Sequence, residues 1–116
     1  LAPDALAPVG GYPGDEDKGR EAFSRVDPTR MLEDLFAAVP YLKGRPEFSG
    51  KLGAIGFCFG GGVVNRLAVR FPELNAGVPF YGPPPPLEEA AKVKAASIVR
   101  RHRATAVASS AQLRMR

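Results

Sequence analysis

Apolar positions change their spacing along the chain, and each change predicts an element. From Asp27 onward, Met31, Leu32, Leu35, Phe36 and Val39 recur at intervals of three and four, which is one face of a helix. Asp27 is the predicted N-cap, Pro28 occupies the first helical position where its missing N–H costs nothing, and Pro40 limits the helix. The stripe reads as core packing and not as a partner groove. Gly44 to Gly50 is a turn segment containing Pro46. Leu52-Gly53-Ala54-Ile55-Gly56-Phe57 is apolar without alternation, which predicts a strand buried on both faces of a parallel sheet. Cys58 to Gly62 follows as a glycine-rich turn. Val63, Val64, Leu67, Ala68 and Phe71 then mark a second amphipathic helix, ended by Pro72.

Ala76 to Tyr81 predicts a second strand, with Pro79 arguing against a central place for it. Gly82 and Pro83 to Pro86 break the strand. Leu87 to Ala96 predicts a short helix with Glu88 and Glu89 in its first turn, where the helix dipole favours negative charge. Strand and helix thus alternate from residue 27 to about residue 96, the pattern of an α/β layered fold. Leu1 to Arg25 carries Pro3, Pro8, Pro13, Gly10, Gly11, Gly14 and Gly19 and reads as loop. Asp15-Glu16-Asp17 within it reads as a solvated loop cluster and not a metal site, since three adjacent acids do not converge on one ion without a sharp turn.

Composition adds limits to this picture. The 116 residues are about the size of one domain, and 45% hydrophobic content suits a globular core. A single cysteine excludes an internal disulfide framework and any Cys-rich zinc site, and points to a reducing compartment, the cytoplasm. No apolar run approaches the roughly 18 residues of a membrane span, and no secretory signal pattern opens the chain. The first residues also lack an initiator Met, so the chain is expected to begin partway through a longer one. A net charge of +4 invites a nucleic-acid reading, but residues 1–94 hold 11 Lys/Arg against 12 Asp/Glu, while residues 95–116 hold five Arg and no acid. All excess positive charge sits in the last 22 residues, without aromatic interleaving, and no nucleic-acid partner is expected.

The chemistry centres on Gly56-Phe57-Cys58-Phe59-Gly60-Gly61. A dinucleotide fingerprint fails here, because the nearest frame, Gly60 to Asn65, ends in Asn, and no phosphate-binding loop of the G-x-x-x-x-G-K-[ST] type occurs. Two readings remain: a buried structural cysteine beside packing glycines, or a nucleophile elbow. The elbow places a nucleophile on a sharp strand-to-helix turn whose flanking positions must be small, the pattern G-x-nucleophile-x-G, with Gly56 and Gly60 in those places. Cys58 would then stand at the N-terminus of the next helix, where the dipole favours the attacking thiolate. The Phe59 backbone N–H could donate to the oxyanion formed when a carbonyl is attacked.

Gly50 to Tyr81, with its G-x-C-x-G-G signature, resembles the nucleophile region of the dienelactone hydrolase (carboxymethylenebutenolidase) family. The likeness extends upstream to Leu1-Ala2-Pro3-Asp4 and downstream to about Ala96, so residues 1–96 form a partial family-like domain and residues 97–116 a basic tail outside the resemblance. It implies a three-layer α/β-hydrolase fold, here incomplete, with a mostly parallel central sheet. It further implies hydrolysis of an ester or lactone bond, typically a dienelactone opened to maleylacetate, with Cys58 as nucleophile, Phe59 N–H in the oxyanion hole and Gly56, Gly60 and Gly61 in the elbow. No metal or organic cofactor is implied. The partner would be a small-molecule lactone or ester, and the full-length fold a monomer. Arg20, Arg45 and Tyr12 receive no substrate role from the motif.

The family's triad continues from Cys to Asp and then His. No Asp follows Cys58 here; Glu73, Glu88 and Glu89 fall on or beside predicted helices, and His102, flanked by Arg100, Arg101 and Arg103, reads as an exposed residue of the basic tail. The abrupt change of composition at Ser97 suggests a reading-frame shift or mispredicted terminus. On that reading the sheet is cut on both sides, stability is marginal and turnover is little or none. The alternative is an inactive fragment or interaction protein that retains the fold's core.

Overall fold

The computed structural model describes residues 1–93 and 96–97. The chain divides into two compact units, Leu1–Ser49 and the part that begins at Gly50.

The first unit is helical. After a 3-10 turn at Ala7–Val9 come α1 (Glu16–Arg25), α2 (Pro28–Phe36) and α3 (Ala38–Lys43). The N-terminal loop expected over residues 1–25 is therefore corrected from residue 16 onward. Asp15 is an N-cap whose carboxylate accepts from the Lys18 N–H at 2.9 Å, and Glu16 and Asp17 lie in the first turn where the helix dipole favours them. Gly19, which argued for loop, is buried in α1; a Cβ there would lie 3.1 Å from the Tyr12 ring. Asp27 caps α2 through the Arg30 N–H at 2.8 Å, with Pro28 following as expected. Pro40 does not end the helical path. It sits in the first turn of α3, where a missing N–H is tolerated; α2 nevertheless ends at Phe36, whose carbonyl the Pro40 nitrogen cannot serve, while Ala37 keeps its bonds to the Glu33 carbonyl at 2.9 Å and from the Tyr41 N–H at 3.2 Å. Met31, Leu35 and Val39 of the predicted stripe are buried, while Leu32 and Phe36 are half-buried.

The second unit is α/β. β1 (Gly53–Phe57), α4 (Phe59–Arg70) and β2 (Ala76–Phe80) form a parallel βαβ unit, followed by α5 (Leu87–Ala90) and β3 (Ala96–Ser97). The sheet order is β1-β2-β3, all parallel, with Ile55 opposite Val78, Phe57 opposite Phe80 and Gly77 opposite Ser97. Asn75 fixes the start of this register: its Oδ1 accepts from the Leu52 N–H at 2.7 Å, and its own N–H donates to the Leu52 carbonyl at 2.8 Å.

Two-sided burial of β1 is corrected. Ala54 and Gly56, opposite Gly77 and Pro79, make the face on which α4 lies, and Val63, Val64 and Ala68 of α4 are buried. On the other face Ile55 is 64% exposed and Phe57 58% exposed, with the Phe57 and Phe80 rings stacked at 4.6 Å between centroids. The run lacks alternation because its covered face is built from small residues, not because large apolar side chains are buried on both sides. Pro79 is tolerated in β2 because adjacent strand residues direct their amides to opposite neighbours. Phe80 bonds towards β1, its carbonyl accepting from the Cys58 N–H, so the Pro79 nitrogen faces the other edge, beyond the Ala76 and Gly77 pairs with β3. The helix expected over Leu87 to Ala96 is one turn long, and Ala96 belongs to β3.

Candidate active site

Cys58 is the single residue between β1 and α4. The glycine-rich turn expected from Cys58 to Gly62 is corrected accordingly, because α4 begins at Phe59. Cys58 has φ 53° and ψ −117°, a conformation that non-glycine residues rarely adopt, and its thiol is exposed rather than buried. Two backbone bonds hold the bend: the Cys58 N–H donates to the Phe80 carbonyl at 3.1 Å, and the Cys58 carbonyl accepts from the Gly62 N–H at 3.2 Å. No side chain caps this helix end, unlike α1 and α2.

The glycines divide the steric work unevenly. A Cβ on Gly56 would run into the Gly60 carbonyl, and one on Gly61 would strike the Tyr81 carbonyl. Gly60 itself faces open space, so the expectation that its own side chain would collide is corrected: the crowded positions after the cysteine are Gly61 and Gly62. Phe59, the proposed oxyanion donor, is the first residue of α4.

Sequence reasoning passed over the partner of this turn. Tyr81, at the carboxyl end of β2, has φ 40°, and it and Cys58 are the two non-glycine residues of positive φ among the described residues. Gly82 follows with φ 142°, and a Cβ on it would meet the Cys58 carbonyl and lie 2.6 Å from the Gly62 nitrogen. A glycine just after a strand and before a proline is a signal of close backbone approach, and it was present in Tyr81-Gly82-Pro83. Glu88 and Glu89 lie in α5, and Glu73 in the turn after α4. His102 and the arginines around it fall outside the described residues. Among the described residues no cluster of three or more His, Cys, Asp or Glu side chains could hold a metal, and no helix is long and apolar enough to cross a membrane.

A strained residue between a parallel strand and the helix that follows, at the carboxyl end of the sheet, is the nucleophile-turn geometry of an α/β hydrolase. The model of the dienelactone hydrolase family matches residues 1–105, and the chain belongs to that family. It is 37% identical over 86 residues to "Carboxymethylenebutenolidase homolog" of Xenopus tropicalis, covering 71% of this chain and 34% of that protein. It is 34% identical over 86 residues to the human protein of the same name, with the same coverage of 71% and 34%. Over 29 residues, a quarter of each chain, it is 69% identical to "Putative hydrolase fragment YghX" of Escherichia coli. The chain spans about a third of the length of the first two relatives. The family match runs to residue 105, beyond the limit of about 96 expected from the sequence.

Proposed function

We propose that this chain carries the nucleophile of a cytoplasmic, monomeric hydrolase of carboxylic ester or lactone bonds, with a dienelactone as substrate and Cys58 as the attacking group. The observation that carries the reading is the exposed Cys58 thiol on a backbone of φ 53°, at the carboxyl end of β1 and the start of α4. The thiolate forms a C–S bond to the lactone carbonyl carbon, and the carbonyl oxygen becomes an oxyanion to which the Phe59 N–H would donate. Collapse of that intermediate breaks the ring C–O bond and releases an enolate oxygen, which takes a proton. Water then adds to the thioester carbonyl, the carboxylic acid leaves and the thiol is restored.

The test is thiol labelling of Cys58 at neutral pH together with hydrolysis of p-nitrophenyl acetate. The expected result is labelling faster than that of a free thiol, with a low level of hydrolysis that Cys58→Ala abolishes. Labelling no faster than a free thiol, with hydrolysis unchanged in Cys58→Ala, would overturn the reading. That outcome would favour the second reading, a non-catalytic fragment retaining the fold's core. Two observations support the second reading: the word "fragment" in the name of the Escherichia coli relative and the exposure of Ile55 and Phe57.

A further inference from the structure

The turn after β1 and the loop after β2 are locked together by backbone contacts on both sides. Gly61 lies against the Tyr81 carbonyl, Gly82 against the Cys58 carbonyl, and a Cβ on Gly62 would sit 2.7 Å from the Pro83 ring. Tyr81 and Cys58, both at positive φ, are neighbours across this lock, since Phe57 and Phe80 are register partners. Backbone in such regions is strained and persists only where surrounding contacts over-determine it. Glycine approach makes room for the lock but supplies no directional attraction. One side chain does: the Asn65 amide Nδ2 donates to the Pro83 carbonyl at 3.0 Å, across 18 residues of sequence. Pro83 offers only an acceptor at that point, so the amide nitrogen is the end that must face it. Asn65 also stands on α4 about one turn beyond Gly61 and Gly62, so its bond draws the loop onto the helix face that those glycines leave bare.

We propose that Asn65 is a positioning residue for the nucleophile turn: by tethering Pro83 to α4 it seats Gly82 against the Cys58 carbonyl and holds Cys58 in its strained conformation. This rests on the hydrolase reading for its catalytic consequence but not for its structural content. The experiment compares the unaltered chain with Asn65→Leu, which has similar size and no donor, and Asn65→Gln, which keeps the donor. Three rates are followed: acylation of Cys58 by p-nitrophenyl acetate, alkylation of Cys58 by iodoacetamide, and amide hydrogen exchange at Cys58 and Gly62. Asn65→Leu is expected to slow acylation about two- to tenfold in kcat with KM unchanged, the size of one neutral hydrogen bond. Exchange at Cys58 and Gly62 rises by a similar factor, alkylation changes less than twofold because it needs no oxyanion geometry, and Asn65→Gln recovers part of the loss. Acylation and exchange both unaltered in folded Asn65→Leu would overturn the proposal, as would acylation and alkylation falling together. If the unaltered chain shows no acylation, the hydrolase reading fails, and exchange at Cys58 and Gly62 alone decides the tether.

Discussion

The starts of α1 and α2 in the first unit and the start of α4 in the second are made in opposite ways. In the first unit Asp15 and Asp27 each lend a carboxylate to an amide three residues on, and the flanking charges, such as Arg20 with Glu16 at 3.6 Å, are exposed neighbours on the same helix. Everything that shapes these starts lies within about one turn. In the second unit α4 starts without a side-chain cap, on a cysteine of positive φ, and its surroundings come from Gly82 and Pro83, far along the chain. A polar cap leaves the approach to a helix end occupied by the cap itself. A helix start held by remote backbone leaves the side chain of its N-cap residue, here Cys58, exposed and available for chemistry.

Substitutions can break or sharpen that contrast. The largest effect is expected at Gly61→Ala, whose Cβ meets the Tyr81 carbonyl, a backbone atom that cannot turn aside; about 3 kcal/mol of stability should be lost in urea unfolding. Its control is Gly60→Ala in the same helix turn, which faces open space and should be neutral or stabilising by up to about 1 kcal/mol. Equal losses in the two would mean that glycine content, and not the remote contact, is what the turn needs. Asp27→Ala should cost about 1 kcal/mol, the size of a local cap, with thiol labelling of Cys58 unchanged. The smallest effect is expected at Arg20→Ala, within about 0.5 kcal/mol, because its partners Glu16 and Asp17 are exposed; a larger loss would show that α1 depends on more than its cap.

The same contrast decides what the letters reveal. Asp27-Pro28 announces α2 because capping is a short-range code, and the three-and-four spacing names Met31, Leu35 and Val39 as core. α1 was legible in principle through Asp15 and the two acids after it, but the prolines and glycines of the same stretch outweighed them, and Gly19 proved to be a packing glycine against Tyr12. The β1–α4–β2 order could be read because a short unbroken apolar run, a stretch of three-and-four spacing and a second short apolar run follow one another, separated by glycine and proline. Cys58 stood out through its glycines, yet which of them is crowded could not be told, since that depends on where Tyr81 and Gly82 lie in space. Asn65 carried no signal in its own neighbourhood, because its partner is a carbonyl, which every residue possesses.

The parallel pairing of β1 with β2 through a single crossover helix has a consequence for assembly. The backbone contacts that hold the Cys58 bend come from the span between Gly53 and Pro83, so the chain need close only a short, partly helical loop to create it. The bend is thus a property of one βαβ unit: the contacts that hold it are drawn from β1, α4 and the loop after β2, so a change in any of the three is felt at Cys58.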